Sequence, residues 1–599
     1  MSFLPINEKE MKERGWQQPD FVLVTGDAYV DHHSFGTAII GRLLEQYGYK
    51  VAILPQPNYK SAEDFRIFGK PRLGFLINSG VVDSMVNNYS VFKHRRKTDE
   101  YAPGGKAGLR PDRAVIVYAN RAKEAYKDVP VIIGGLEASL RRFGHYDYWS
   151  DKVRRSVLLD SKADLLIYGM GERAIIEIAE ALDSGIDARD ITWIRGTCYR
   201  AKNLDLPGME EAVILPSFDE ISTSKKAYAE SFALQYRNQD SISAKTMAEK
   251  YADTVYVVQN PPQPPLEREE LDDIYALPFE NEWHPSYDAL GGIPAFKEIK
   301  FSIVSSRGCF GGCSFCAITY HQGRQVRSRS KDAIVREAEA LTHKKDFKGY
   351  IHDVGGPTAN FRFPTCEKQL VRGVCPNKDC LYPNVCRNMK VDHSDYLDVL
   401  RAVRGIDGVK KVFISGIRYD YLMADPKADE FIEELCRYHV SGTLKVAPEH
   451  ASSKVLRYMR KPDANIFLDF DRKYKEMNKR LGLKQYLIPY LISSHPGCGL
   501  REAAELAVFL KEYGFIPDQV QDFYPTPGTL ATCMYHTELD PFTMKPVYVA
   551  KDMEEKKMQR ALMHYHKREN EDLVKKALKK INRVDLISYL IYNNKKPSI

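Results

Sequence analysis

The chain has 599 residues, more than one hydrophobic core can serve, so two or three domains are expected. Its 44% hydrophobic and 28% charged residues are the composition of a soluble globular protein, and no apolar run approaches the length of a membrane span, which excludes a membrane partner. The net charge of +7 is concentrated late, with 13 Lys/Arg against 7 Asp/Glu from Lys551 to Ile599.

The first twenty residues lack the apolar centre of a signal peptide. Beyond them, Phe21-Val22-Leu23-Val24 reads as a buried strand, Thr25 to Phe35 as a polar loop, and Gly36 to Leu44 as the start of a helix. Lys50 to Leu54 returns as a strand, which completes a βαβ unit. Further strands are expected at Leu73–Asn78, Ala114–Tyr118, Val129–Ile133 and Ala163–Tyr168. The fold class is therefore α/β: a doubly wound, Rossmann-like domain over residues 1–258.

Asn260-Pro261-Pro262-Gln263-Pro264-Pro265 marks a stiff linker, taken as 259–294. A second strand–helix series follows over 295–545. Its strands are expected at Phe301–Ser306, Tyr350–Val354, Lys411–Ser415, Thr443–Val446, Tyr486–Ile492 and Gln519–Phe523. Helices are expected at Asp332–Leu341, Asp429–His439 and Arg501–Tyr513. Six such units predict a partial (β/α)6 barrel, in which chemistry gathers at the carboxyl ends of the strands.

Seven of the eleven cysteines lie between 309 and 386. Cys309, Cys313 and Cys316 form C-x3-C-x2-C in a glycine-rich loop directly after the first barrel strand. Three thiolates from one loop suit a [4Fe–4S] cluster whose fourth iron is left open for a small molecule. Zinc or plain burial are the alternatives, but structural zinc wants four protein ligands, commonly in C-x2-C pairs. Cysteine spacing of this type without a secretory signal points to a reducing cytoplasm.

The stretch Ser305-Ser306-Arg307-Gly308-Cys309-Phe310-Gly311-Gly312-Cys313-Ser314-Phe315-Cys316-Ala317-Ile318 resembles the YgiQ-like branch of the radical S-adenosylmethionine (SAM) superfamily, a likeness running from about residue 20 to 545. The resemblance implies an enzyme that cleaves SAM reductively to a 5′-deoxyadenosyl radical, which then activates a substrate the sequence does not identify. It also implies a reductant such as flavodoxin or ferredoxin. Gly355 and Gly356 stand where the superfamily binds SAM's amino group, although Pro357 replaces the usual acid. Arg418 is placed to pair with SAM's carboxylate, or to form an ordinary salt bridge. Glu449 and His450 end the fourth strand and either reach SAM or substrate or cap the next helix.

Asp31-His32-His33-Ser34-Phe35-Gly36 fits D-x-H-x-x-G, which resembles the cobalt-ligating loop of cobalamin-binding domains. That likeness implies His33 as cobalt ligand, Asp31 behind its ring, Gly36 in the loop, and corrin contacts near Ser79, Gly134-Gly135 and Gly169-Met170-Gly171-Glu172. A scaffold without cobalamin is the alternative.

Cys366, Cys375, Cys380 and Cys386 form C-x8-C-x4-C-x5-C in a proposed insertion at 361–392. Four cysteines match the complement of a closed metal site, either zinc or an auxiliary iron–sulfur cluster. A fourth cysteine ligand from this loop to the first cluster would instead make the chain a non-catalytic iron–sulfur protein, either an electron carrier or a redox-responsive partner of nucleic acid. The basic helical tail at 546–599 reads as a solvated amphipathic helix or as a nucleic-acid contact, with no RNA-binding motif to favour the latter.

Overall fold

The structure, a computed structural model, describes residues 2–205, 209–518 and 520–592. Strand β1 (Phe21–Thr25) runs parallel to both β2 (Val51–Pro55) and β3 (Gly74–Ile77). β3 pairs in parallel with β4 (Val131–Ile133), and β4 with β5 (Leu165–Ile167). The order β2-β1-β3-β4-β5 reverses at β1, so the loops after β1 and β3 part and open a crevice at the carboxyl edge of the sheet. Strand alternation supplies two cores. Phe21, Leu23 and Ile53 face one side with Ala38 and Leu43 of the helix Gly36–Gln46. Val22, Val24 and Phe75 face the other.

Two features of this domain differ from the sequence expectation. Ala114–Tyr118 opens a helix, Ala114–Ala125, rather than a strand. Ala114, Val115, Tyr118, Ala119 and Ala122 are buried at helical spacing, so the 3.6-residue period decides. The sheet is also longer than expected. β6 (Thr197–Ala201), β7 (Val213–Ile214), β8 (Met247–Ala252) and β9 (Val255–Gln259) extend it beyond β5 in the order β6-β9-β8-β7. The β5·β6, β6·β9 and β9·β8 pairs are antiparallel.

The proline-rich segment lies along the first domain. Pro262 accepts from Arg195 Nε at 3.0 Å, and Gln263 donates to Arg195 O at 2.9 Å. It then forms a helix, Arg268–Tyr275, and a short strand, Glu282–Trp283, that pairs with Val30–Asp31 beside the histidine loop.

In the second half, β10 (Ser302–Val304) pairs in parallel with β12 (Asp353–Gly355), and β11 (Tyr350–Ile351) with β13 (Lys411–Val412). β11 and β12 are two halves of one strand, each pairing to a different side. A bridge between Gly416 and Lys445 leads to β14 (Thr443–Glu449), which pairs with β15 (Tyr486–Ser493), and β15 pairs with β16 (Gln521–Asp522). Six parallel strands thus follow in chain order. Among the described residues no pairing joins β16 to β10, so the barrel is open. The expected strand start at Gln519 lies outside the described residues. The expected helices are present as Lys331–Thr342, Ala428–Glu434 (continued by a wider turn to His439) and Leu500–Tyr513. After the barrel, Met553–Met563, Glu571–Lys580 and Asp585–Leu590 are helical. Val574, Ala577 and Leu578 are buried, while Lys576, Lys579 and Lys580 face solvent. No helix among the described residues is long and apolar enough to cross a membrane.

Candidate active site

The cysteine loop begins at the carboxyl end of the first barrel strand. Gly308 holds φ +81°, and a Cβ there would stand 2.0 Å from Gln325 O, so only glycine permits the turn into Cys309. Cys309 is buried, and Cys313 and Cys316 are half-buried. Gly311 N donates to Cys309 Sγ at 3.4 Å, and Arg418 Nη1 reaches Cys313 Sγ at 3.3 Å. Burial, and then the neighbouring thiols of the same loop, push the Cys309 pKa up and that of Cys316 to about 12. A bound cation reverses that penalty by stabilising thiolates. Among the described residues no three His, Cys, Asp or Glu side chains converge at single-ion spacing.

Gly355 ends β12 and Gly356 follows it. A Cβ on Gly356 would lie 2.5 Å from both the carbonyl and the hydroxyl oxygen of Ser306, so the two strand ends are pressed together. Both glycines and Pro357 line a cavity of about 580 Å³. The opposite wall comes from the first domain: His33 and Gly36 after β1, Asn78 and Gly80 after β3, Gly134 and Gly135 after β4, and Gly169 to Glu172 after β5. The crevice at the reversal of the sheet therefore faces the first two barrel strands, and residues from 23 to 357 meet around one space.

Several predicted residues take different places from those expected. Asp31 is buried but does not back His33. It accepts from Arg42 Nε at 3.1 Å and from Glu280 N at 3.0 Å, because an arginine on the next helix offers a charged partner that a neutral imidazole cannot match. Ser79 turns away from the cavity and donates to Val82 O at 3.1 Å. His33 does line the cavity. Its Nε2 is buried without a hydrogen bond, 3.5 Å from Glu337 Oε1. Burial, then Arg329 and Arg307, pull its pKa down to about 3, so the ring is neutral. Arg418 is neither at the surface nor free. Its Nε and Nη2 bind Asp420 at 2.6 and 3.0 Å, which occupies the fork expected to receive a carboxylate and leaves Nη1 on Cys313.

Glu449 lies 3.6 Å from Lys461 Nζ, and His450 Nδ1 accepts from Ser452 N at 3.0 Å at the start of the helix Ser453–Met459. His450 Nε2 stands 3.5 Å from Cys498 Sγ. Cys366, Cys375, Cys380 and Cys386 line a separate cavity of about 100 Å³. Sequence reasoning gave no role to Tyr275, saw Arg307 only as part of the cysteine motif's flank, and placed Glu172 only in a segment near a corrin. Arg307, two residues before Cys309, is buried, ion-paired to Glu172 and hydrogen-bonded to Tyr275 Oη at 3.0 Å. The partners lie 135 and 32 residues away, and no local pattern announces such pairs.

Comparison with known proteins agrees with this geometry. The family description "Radical SAM N-terminal" matches residues 3–302, "Radical SAM superfamily" matches 303–491, and "Domain of unknown function (DUF3362)" matches 518–595. A UPF0313 protein of Clostridium botulinum (strain Kyoto / Type A2) is 57% identical over 588 residues, covering 98% of this chain and 90% of its own. A UPF0313 protein of Clostridium perfringens (strain ATCC 13124) is 58% identical over 586 residues, covering 98% and 88%. Among solved structures, the radical SAM methyltransferase TsrM from Kitasatospora setae, with cobalamin and a [4Fe–4S] cluster bound, aligns at 13% identity with a TM-score of 0.48, covering 86% of this chain and 74% of its own. The cobalamin-dependent SAM radical enzyme OxsB has the same identity and TM-score, covering 96% and 63%. These two likenesses are too loose to assign anything by. The radical SAM match carries a [4Fe–4S] cluster and SAM as cofactors. The chain belongs to the UPF0313 family and, within it, is an enzyme of the radical SAM superfamily.

Proposed function

We propose that the chain is a cobalamin-containing radical SAM enzyme whose cobalamin lies in the cavity between the first domain and the barrel. The observation that carries this reading is the cavity itself, about 580 Å³, walled by the carboxyl edge of a doubly wound sheet and by the ends of β10 and β12. Cys309, Cys313 and Cys316 would hold the [4Fe–4S] cluster, leaving one iron open for SAM. Gly355 and Gly356 bring bare backbone carbonyls to SAM's ammonium group. Arg418 serves the cysteine loop, with Nη1 on Cys313 and Asp420 fixing its plane. Cluster and SAM, when bound, supply reductive C–S cleavage to methionine and a 5′-deoxyadenosyl radical, while the protein orients and shields them.

His33 is the residue best suited to the cobalt. It is neutral, its Nε2 is an orphaned buried acceptor or donor, and it lines the cavity. Gly36 adds no side chain, and nothing stands within 4 Å of where its Cβ would be. The reductant is an acidic one-electron carrier of the flavodoxin or ferredoxin class. Lys368, Arg372, Lys378 and Arg387 are exposed on the loop after the second strand and offer it a basic surface. The low-potential chemistry belongs in the cytoplasm.

The test is anaerobic loading with hydroxocobalamin, followed by desalting and absorption spectroscopy. About one corrinoid per chain is expected, with a spectrum altered in His33→Ala. A chain that holds its iron–sulfur cluster but retains no corrinoid would overturn the cobalamin assignment and leave the radical SAM assignment standing.

A further inference from the structure

Beyond that reading, we infer that Cys366, Cys375, Cys380 and Cys386 hold a second, fully ligated iron–sulfur cluster beside the first. All four are free thiols, half-buried, and line one cavity of about 100 Å³. Short local contacts draw them together. Thr365 Oγ1 lies 3.5 Å from Cys380 Sγ and 3.9 Å from Cys366 Sγ, and Cys386 N donates to Cys380 O at 2.8 Å. Cys375 is tied in through Arg324, which is buried and donates to Cys375 O at 3.3 Å and to Lys378 O at 3.1 Å. Asp379, between two of the cysteines, holds Arg324 at 3.1 Å and Arg460 at 3.0 Å. A loop with this many fixed points is built rather than incidental.

The arrangement distinguishes between metals. Structural zinc closes four thiolates around one ion at about 2.3 Å, which leaves no space between them. Here the four cysteines line a cavity of about 100 Å³. Thiols that line a volume suit the corners of a cluster. Four protein thiolates leave this second cluster no iron open to SAM.

The two sites adjoin. Asp379 Oδ1 lies 3.2 Å from where a Cβ would stand on Gly312, inside the first cysteine loop. Cys309 and Phe310 share one apolar cluster with Leu381 and Cys380, and Phe310 stacks on Phe361 at 3.7 Å.

The test uses the full-length chain, reconstituted anaerobically with iron and sulfide. Iron, sulfide and zinc are counted, and EPR is recorded after dithionite reduction with and without SAM. The wild type is expected to hold about eight irons, and the Cys309→Ala/Cys313→Ala/Cys316→Ala variant about four. The signal kept by that variant should not respond to SAM. A wild type with about four irons, all lost in the triple variant, would overturn the second cluster while leaving the first intact. One zinc per chain, retained in the triple variant in place of iron, would also overturn it. A Cys375→Ser/Cys380→Ser variant that falls to about four SAM-responsive irons provides the reciprocal check, and one that keeps about eight would count against the assignment.

Discussion

Arg307 and Glu172 form a buried ion pair that joins the two halves of the chain at the entrance to the cysteine loop. Arg307 precedes Gly308 and Cys309, while Glu172 opens the helix after β5, and both line the central cavity. Their pairing fixes the barrel strand that carries the cluster loop against the sheet that supplies the opposite wall. Breaking a buried pair leaves a charge without compensation, at a cost of about 3–5 kcal/mol. Glu172→Gln should therefore lower unfolding free energy by about that amount in urea titrations. A change below about 1 kcal/mol would show that Arg307 finds another partner.

Gly356→Ala tests the close approach of β12 to Ser306. The added methyl would meet a backbone carbonyl at 2.5 Å, which cannot swing aside as a flexible side chain can. Overpacking of this kind costs about 1–3 kcal/mol, and the displaced carbonyls should weaken SAM binding about tenfold or more. Equilibrium dialysis with labelled SAM on the cluster-loaded chain measures it. Gly36→Ala has open space and should leave stability unchanged.

Glu249, on β8, gives the first domain a pH dependence. Burial raises its pKa from the ordinary 4.5 to about 7, although Tyr251 Oη and Gly144 N donate to it. The native state then holds this proton more tightly than the unfolded chain. Its stabilising contribution is full below pH 4.5 and is lost as pH rises through about 7. The shift corresponds to about 3 kcal/mol. Urea unfolding between pH 5 and 8 should show this fall in the wild type and a flatter profile in Glu249→Gln. An identical slope in both would remove Glu249 as its source.

Much of this was legible in the sequence where the signal is local. The cysteine loop is one short segment, so spacing alone displays its three thiols, and Gly355-Gly356 sits at a recognisable strand end. The βαβ start and the six barrel strands follow from runs of apolar residues with the right length. What stayed hidden depends on tertiary partners. Val115-Ile116-Val117 has the composition of a strand, and only the burial of Tyr118, Ala119 and Ala122 on one face marks it as helix. Asp31 sits in the motif, yet Arg42 claims it from the next helix. Arg418 could be read from the sequence as a carboxylate partner or as an ordinary salt bridge, and only the structure shows Asp420, two residues on, taking its Nε and Nη2.

The most direct measurement of the central claim is 5′-deoxyadenosine formation by the anaerobically reconstituted chain given dithionite and SAM. The wild type should form it, and Cys309→Ala, which removes the most buried thiol of the loop, should fall to background. A wild type with a full, reducible cluster that forms none, or a variant that forms as much as the wild type, would contradict the claim.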